Sequence, residues 1–174
     1  MNHFTRIDSL TGLYNRRYFW ETFSKVWEQS IEHNFVVSLL MIDIDYFKNV
    51  NDQFGHIVGS QLLIDMAAVL RHELRSSDLV YRYGGDEFIV LLPKANLEET
   101  KRIALRISEA VKGKEFIIQG GLKYRLSLSI GLAEYPTDAT SAKAIIDFAD
   151  RMMYMSKKSG RGKVFHVTEV LDSK

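Results

Sequence analysis

The sequence predicts an α/β domain of the α+β kind, with a mixed, mostly antiparallel central sheet flanked by helices. Three observations predict it. Short β-prone apolar runs recur along the chain, and two of them meet at Gly84-Gly85, a strong hairpin signal. Stretches with apolar residues at helical spacing lie between the runs. The two kinds alternate unevenly, unlike the strict succession of a parallel βαβ fold. The 174 residues are enough for one domain with a substantial core, expected over 1–174 with its centre at about 8–167.

The elements follow in order. A turn-rich opening, Asp8 to Arg17, leads into a helix from Arg16 to His33. Phe35 to Asp45 reads as a buried strand that ends abruptly in two aspartates, Asp43 and Asp45. Alternation turns both to one face, within reach of one centre; for Asp45 a capping role at the short helix that follows is preferred. Gly55-His56 and Gly59-Ser60 precede a helix with Leu63, Met66, Ala67, Leu70 and Leu74 at core-facing spacing. Glycines and polar residues there let a ligand approach N-terminal amides. His56 taken alone, and the methionines and aromatics elsewhere, read as packed structural residues.

That helix ends near Arg75-Ser76-Ser77-Asp78, ahead of a hairpin pairing Leu79–Tyr83 with Phe88–Leu92. Ile103, Ile107, Ala110 and Val111 mark another amphipathic helix. Strands are expected over 115–119 and 124–131, where Leu126, Leu128 and Ile130 alternate with serines. A last helix places Ile145, Phe148, Met152 and Met155 on one face, and a short strand covers 164–167.

Composition narrows the function classes. The 23 basic and 22 acidic residues leave a net charge of +1, so no global field draws DNA, RNA or an anionic membrane, and any anion site is local. The chain has no cysteine, which excludes disulfides and thiolate metal sites and suits a reducing cytosol. No apolar run approaches the roughly 20 residues that span a bilayer. The expectation is a cytoplasmic domain without membrane contact of its own, from which a sensory or anchored upstream region is missing.

Chemistry concentrates on the hairpin tip. Gly84 and Gly85 clear space for a ligand beside the backbone, and Asp86 and Glu87 offer oxygen ligands to a hard cation such as magnesium. With Asp43 at a strand end, these acids suggest a two-metal phosphate-processing site, in which metal ions activate an attacking hydroxyl and stabilise a leaving oxygen. Lys157 and Arg161, four residues apart, would hold phosphate charge opposite them. The bland reading of this basic pair is a solvated helix end that complements the dipole.

The motifs together resemble the GGDEF-domain family, the diguanylate cyclases, from Asp8 to about Val167. They are Asp8-Ser9-Leu10-Thr11-Gly12-Leu13 with Asn15-Arg16-Arg17, Asp43-Ile44-Asp45-Tyr46-Phe47-Lys48 with Asn51-Asp52, Gly55-His56 with Gly59, Gly84 to Phe88, Ser129-Ile130-Gly131, and Ala149-Asp150, Tyr154, Lys157 and Gly160-Arg161. The resemblance implies a palm-like nucleotidyl cyclase fold and the joining of two nucleoside triphosphates into a 3′,5′-linked cyclic dinucleotide with loss of pyrophosphate. It implies two Mg2+ ions, or Mn2+, on Asp43, the Ile44 carbonyl, Asp86 and Glu87, with Asp43, Asp86 and Glu87 as the catalytic acids. Phe47-Lys48, Lys157 and Arg161 then contact the triphosphate, and Asn51 the base. Each domain holds one nucleotide, so catalysis implies a homodimer.

Two further points follow from the resemblance. Arg75 and Asp78 match an Arg-x-x-Asp site where cyclic dinucleotide product inhibits, with Arg106 as its second arginine. Ser60 stands where the family has an Asp that accepts hydrogen bonds from guanine. An ionised Asp only accepts, whereas Ser donates or accepts, so adenine is no longer repelled. Ser60 resembles the promiscuous subgroup that makes 3′,3′-cyclic GMP-AMP from GTP and ATP, and that product is expected here beside cyclic di-GMP. The alternatives are a strict diguanylate cyclase, a silent module binding GTP or a cyclic dinucleotide, and a monomeric cyclase making a cyclic mononucleotide. Gly162, where the family usually has Asn, is a local departure.

Overall fold

The structure, a computed structural model, describes residues 5–166 and 169–171. Its elements run β1 (Tyr14–Asn15), α1 (Arg16–His33), β2 (Val37–Ile44), α2 (Phe47–Phe54), α3 (His56–Glu73), β3 (Leu79–Arg82), β4 (Glu87–Pro93), α4 (Leu97–Gly113), β5 (Phe116–Ile118), β6 (Leu122–Tyr124), β7 (Leu128–Tyr135), α5 (Ala142–Lys158), β8 (Val164–His166) and β9 (Glu169–Leu171). Seven strands form one sheet in the order β1-β3-β4-β2-β7-β8-β9. The β1–β3 and β7–β8 pairs are parallel and the other four antiparallel, so the mixed, mostly antiparallel sheet is as the sequence predicts. β5 and β6 form a separate hairpin.

Local chemistry sets the helix boundaries. Asn15 Oδ1 accepts the Tyr18 amide at 2.9 Å and starts α1 one residue later, at the predicted Arg16; Asn34, left-handed at φ 54°, ends it. Asn96 and Ser141 cap α4 and α5 in the same way.

β2 sits in the middle of the sheet, and its period of two divides the core. Leu40, Ile42 and Ile44 enter a cluster with residues of α2, α3 and α4. Val37, Leu39 and Met41 enter a second cluster with α1 and α5. Helices therefore cover both faces, which is why this strand reads as continuously apolar. Among the described residues no helix is long and apolar enough to cross a membrane.

Several expectations are corrected. The strand predicted over 124–131 is two strands, because β6 pairs with β5 while β7 belongs to the main sheet and continues to Tyr135. The chain changes sheets at 125–127, where Leu126 remains buried and so preserves the alternation without the pairing. On α5 the buried residues are Ile145, Ile146, Ala149, Met153 and Ser156, whereas Met155 is exposed. Small residues decide this face. A Cβ on Gly131 of β7 would collide with the Ala149 carbonyl and the Met153 amide, so the helix backbone lies directly on the strand. The aromatics Trp20, Tyr46 and Tyr154 are exposed too, with Tyr46 and Tyr154 lying beneath the charged heads of Arg161 and Lys158. β1 is a strand where the sequence showed only a turn-rich lead-in. Of the strand expected over 164–167, Val167 lies outside the described residues.

Candidate active site

The β2–β4 register sets Asp43 directly opposite Glu87, and the β2–β7 register sets it opposite Ser129. Asp43 continues the series Val37, Leu39, Met41, so it faces α5, and Glu87 continues Leu91 and Ile89 on the same face. In the last turn of α5, Lys157 Nζ pairs with Asp43 Oδ2. Burial pushes the Asp43 carboxyl up to about 6; the Lys157 ammonium opposes this and the Asp86 carboxylate reinforces it. Glu87 is raised as well, by burial first and then by Asp86 and Asp150, against the pull of Lys157 and Arg16.

Asp43 Oδ1 is buried and has no hydrogen-bond partner among the described residues. An orphaned carboxylate oxygen beside a second carboxylate fits a hard divalent cation, which would relieve both the desolvation and the repulsion. Among the described residues no three His, Asp or Glu side chains converge, so protein carboxylates supply only part of such an ion's shell.

The hairpin differs from the two-residue Gly-Gly turn expected. Four residues, Tyr83–Asp86, join β3 to β4, and the Tyr83 and Gly84 amides both donate to the Glu87 carbonyl, at 2.8 and 3.2 Å. Neither glycine is left-handed. Their smallness serves space instead: a Cβ on Gly84 would stand 3.1 Å from Glu87 Oε2, and Gly85 opens on a cleft of about 360 Å3.

That cleft brings together Asp86 and Gly85 from the hairpin, Phe47, Lys48 and Asn51 from α2, and Ser60 from α3. α2 begins at Phe47, and Tyr46 before it, left-handed at φ 57°, provides no side-chain cap for the first-turn amides at Phe47 and Lys48. Asn51 and Ser60 share the cleft because Gly59 lacks a side chain; a Cβ there would collide with Asn51 Oδ1. His56 is exposed at the first position of α3 and lines the cleft, contrary to the packed role expected, because Gly55 turns the chain outward before it. Arg161 lies across the Tyr46 ring, 4.6 Å from its centroid, on the same flank as the α2 N-terminus.

Asp45 does not cap α2. Its carboxylate, 3% exposed, accepts from Ser127 Oγ and Ser129 Oγ at 2.6 Å each and from the Gly162 amide at 2.9 Å. The physical reason is position: the chain turns at Tyr46 before α2 begins, and the buried oxygens take the donors of Ser127 just before β7, of Ser129 in β7 and of the loop after α5.

The residues matched to an inhibitory site stand apart from the cleft, beyond the C-terminal end of α3. Asp78 is buried and holds Arg75 at both backbone and guanidinium, with Nη2 to Oδ1 at 2.9 Å. This ion pair raises the Arg75 pKa. Arg106 reaches Glu73 instead, Nε to Oε2 at 3.1 Å.

Sequence reasoning gave no role to Asp8 or Arg82, which brace the hairpin. Arg82 donates from Nη2 to the Gly85 carbonyl at 2.9 Å and from Nη1 to Asp8 Oδ1 at 3.2 Å, while Asp8 accepts the Thr11 amide and hydroxyl. Asp8-x-x-Thr11 is a legible side-chain turn; the contact with Arg82, 74 positions away, is not.

The family description "Diguanylate cyclase, GGDEF domain" matches residues 5–163. Diguanylate cyclase A of Treponema denticola is 37% identical over 163 residues, 92% of this chain and 44% of that protein, so the chain spans less than half of this relative. The isolated GGDEF domain of TpbB from Pseudomonas aeruginosa superposes with a TM-score of 0.87 at 39% identity, covering 91% of this chain and 92% of that one. The GGDEF domain of DgcB from Caulobacter crescentus, solved with c-di-GMP, gives 0.89 at 26% identity over 95% and 94%. The chain belongs to the GGDEF domain family, whose members include proteins named diguanylate cyclases.

Proposed function

We propose that this domain is a cyclic dinucleotide synthase, and that its product is cyclic di-GMP made from two GTP molecules with release of pyrophosphate. The observation that carries the reading is the orphaned Asp43 Oδ1 next to Asp86, at the edge of a cleft whose other wall holds Asn51 and Ser60. The relatives' names favour cyclic di-GMP over a mixed product.

In this reading Asn51 and Ser60 hold the base, and the Phe47 and Lys48 amides, Lys48 and Arg161 hold the triphosphate. Magnesium at Asp43, Asp86 and the Ile44 carbonyl would acidify the attacking 3′-hydroxyl and stabilise charge on the leaving pyrophosphate. Lys157 supplies the counter-charge that lets Asp43 stay ionised before a cation arrives. Glu87, raised by burial and its acidic neighbours, takes up the hydroxyl proton in this reading. One cleft holds one nucleotide, so two chains face each other as a homodimer, and GTP as substrate places the work in the cytoplasm. Product bound at Arg75, Asp78 and Arg106 restrains it.

Ser60 supports a second reading, relaxed base choice with ATP as co-substrate and cyclic GMP-AMP as a further product, because it lines the cleft beside Asn51.

The test is the chain fused to a parallel leucine zipper, incubated with GTP and magnesium and analysed by mass spectrometry. Cyclic di-GMP is expected; a folded, dimeric fusion that binds GTP and yields none overturns the reading.

A further inference from the structure

Three consecutive residues after α5 have positive φ: Gly160 at 112°, Arg161 at 65° and Gly162 at 63°. A left-handed arginine persists only where its surroundings hold it. Its guanidinium lies over Tyr46, itself left-handed at 57°. Two strained non-glycine residues, one opening α2 and one following α5, are thus stacked on each other from segments more than a hundred positions apart.

One carboxylate joins the two segments. Asp45 immediately precedes Tyr46, and its Oδ2 accepts the amide of Gly162, the residue after Arg161, at 2.9 Å. The same group takes Ser127 Oγ on Oδ2 and Ser129 Oγ on Oδ1, and the Asp45 amide donates to the Ser127 carbonyl at 3.0 Å. Among the described residues no basic side chain pairs with Asp45. Three neutral donors satisfy it, so Arg161 is not consumed as its counter-ion and keeps its charge for an anion. On the other side of the loop, Arg161 N donates to the Ser156 carbonyl at 3.0 Å.

We infer that Asp45 is a positioning residue that sets Arg161 at a fixed distance from the N-terminal amides of α2, so that one triphosphate is held from both sides. This rests on reading the cleft as a nucleoside triphosphate site. From the position just before Tyr46 the carboxylate reaches Ser127, Ser129 of β7 and the loop after α5, and loss of its bond to Gly162 frees the left-handed turn to relax and carry Arg161 away from Tyr46. Among the described residues the side chains at the base end of the cleft, Asn51 and Ser60, form no hydrogen bond with Asp45, Tyr46 or Arg161, so loss of the clamp is expected to spare the base end.

The experiment compares magnesium-dependent binding of the non-condensing analogue guanosine 5′-[α,β-methylene]triphosphate with binding of GMP, by calorimetry. Asp45→Ala is expected to weaken the triphosphate about tenfold while GMP stays within about twofold, since the base end is untouched. Asp45→Asn, whose carbonyl oxygen can still accept from Gly162, restores most of the loss. In an Arg161→Ala background, Asp45→Ala has no further effect on the triphosphate, because the two residues act as one unit. Ser127→Ala/Ser129→Ala removes two of the three donors with Asp45 in place, and weakens the triphosphate selectively even if Asp45→Ala does not fold. Equal losses for triphosphate and GMP, or a full additional loss in the Arg161→Ala background, overturn the role of Asp45. A wild-type protein that binds neither ligand overturns the nucleotide reading itself, and the inference with it.

Discussion

Asp43 and Glu87 stand directly opposite each other across the β2–β4 ladder, on the face of the sheet that α5 covers. Like charges in that position are destabilising, and burial together with Asp86 adds to the conflict. A stable sheet has no use for the pair, and a cation at Asp43 and Asp86 would reduce the conflict.

Replacing either acid that would hold that cation should abolish chemistry while sparing the fold. Asp43→Ala and Asp86→Ala in the zippered dimer are expected to lower cyclic di-GMP formation by about a hundredfold or more. Product formation surviving either change, measured by mass spectrometry alongside circular dichroism, would refute the metal assignment.

Asp43 also predicts a pH dependence. Its ordinary value is 3.8 and its folded value about 6. Between these the folded chain holds a proton that the unfolded chain has released, so this contribution to stability is complete below about pH 4 and is lost as pH rises through about 6. Urea denaturation in EDTA should show the wild type losing stability relative to Asp43→Asn over that window. Parallel curves would remove the raised carboxyl from the account.

The second reading, relaxed base choice through Ser60, makes its own prediction. With equimolar GTP and ATP, Ser60→Asp should lower the ratio of adenine-containing to all-guanine product by about tenfold, because an ionised carboxylate left facing adenine N1 has no partner. An unchanged ratio would show that Ser60 does not select the base.

Gly131 bears on architecture. Gly131→Ala should destabilise the protein by about 3 kcal/mol, the upper range for overpacking, because the new methyl meets backbone atoms of α5 that cannot turn aside. Since α5 also carries Lys157, the guanidinium denaturation midpoint and the cyclase rate should fall together; a midpoint at the wild-type value would contradict the contact.

Much of the fold was legible because its signals are local. The turn-rich lead-in and the apolar spacing after it mark α1 from Arg16 to His33, and the continuous apolar run ending at Asp43 marks β2 as a buried strand; the Asn15 cap and the central place of β2 in the sheet are seen only in the structure. The misread stretches depend on partners elsewhere. Nothing between Tyr124 and Gly131 says that one sheet ends and another begins. The buried face of α5 follows from the absence of a side chain on Gly131, so bulky Met155 lies outside and small Ala149 inside. Asp45 read as a cap because that is what an aspartate before a helix usually does; its donors at Ser127, Ser129 and Gly162 are invisible from position 45.

By itself, then, the sequence determined which chemistry is present: acids at a strand end and a hairpin tip, glycines that clear space, a basic pair beyond a helix, and motifs spaced as in the GGDEF family. Residue type and short-range periodicity carry that information. Only the tertiary structure decided how the groups are shared out. Asp43 meets Lys157 and Glu87 on the α5 face, Asp86 opens into the cleft with Asn51 and Ser60, and Asp45 is withdrawn to clamp the Arg161 loop. Strand register and the approach of one backbone to another set those distances, and both are settled by contacts between residues far apart in the chain.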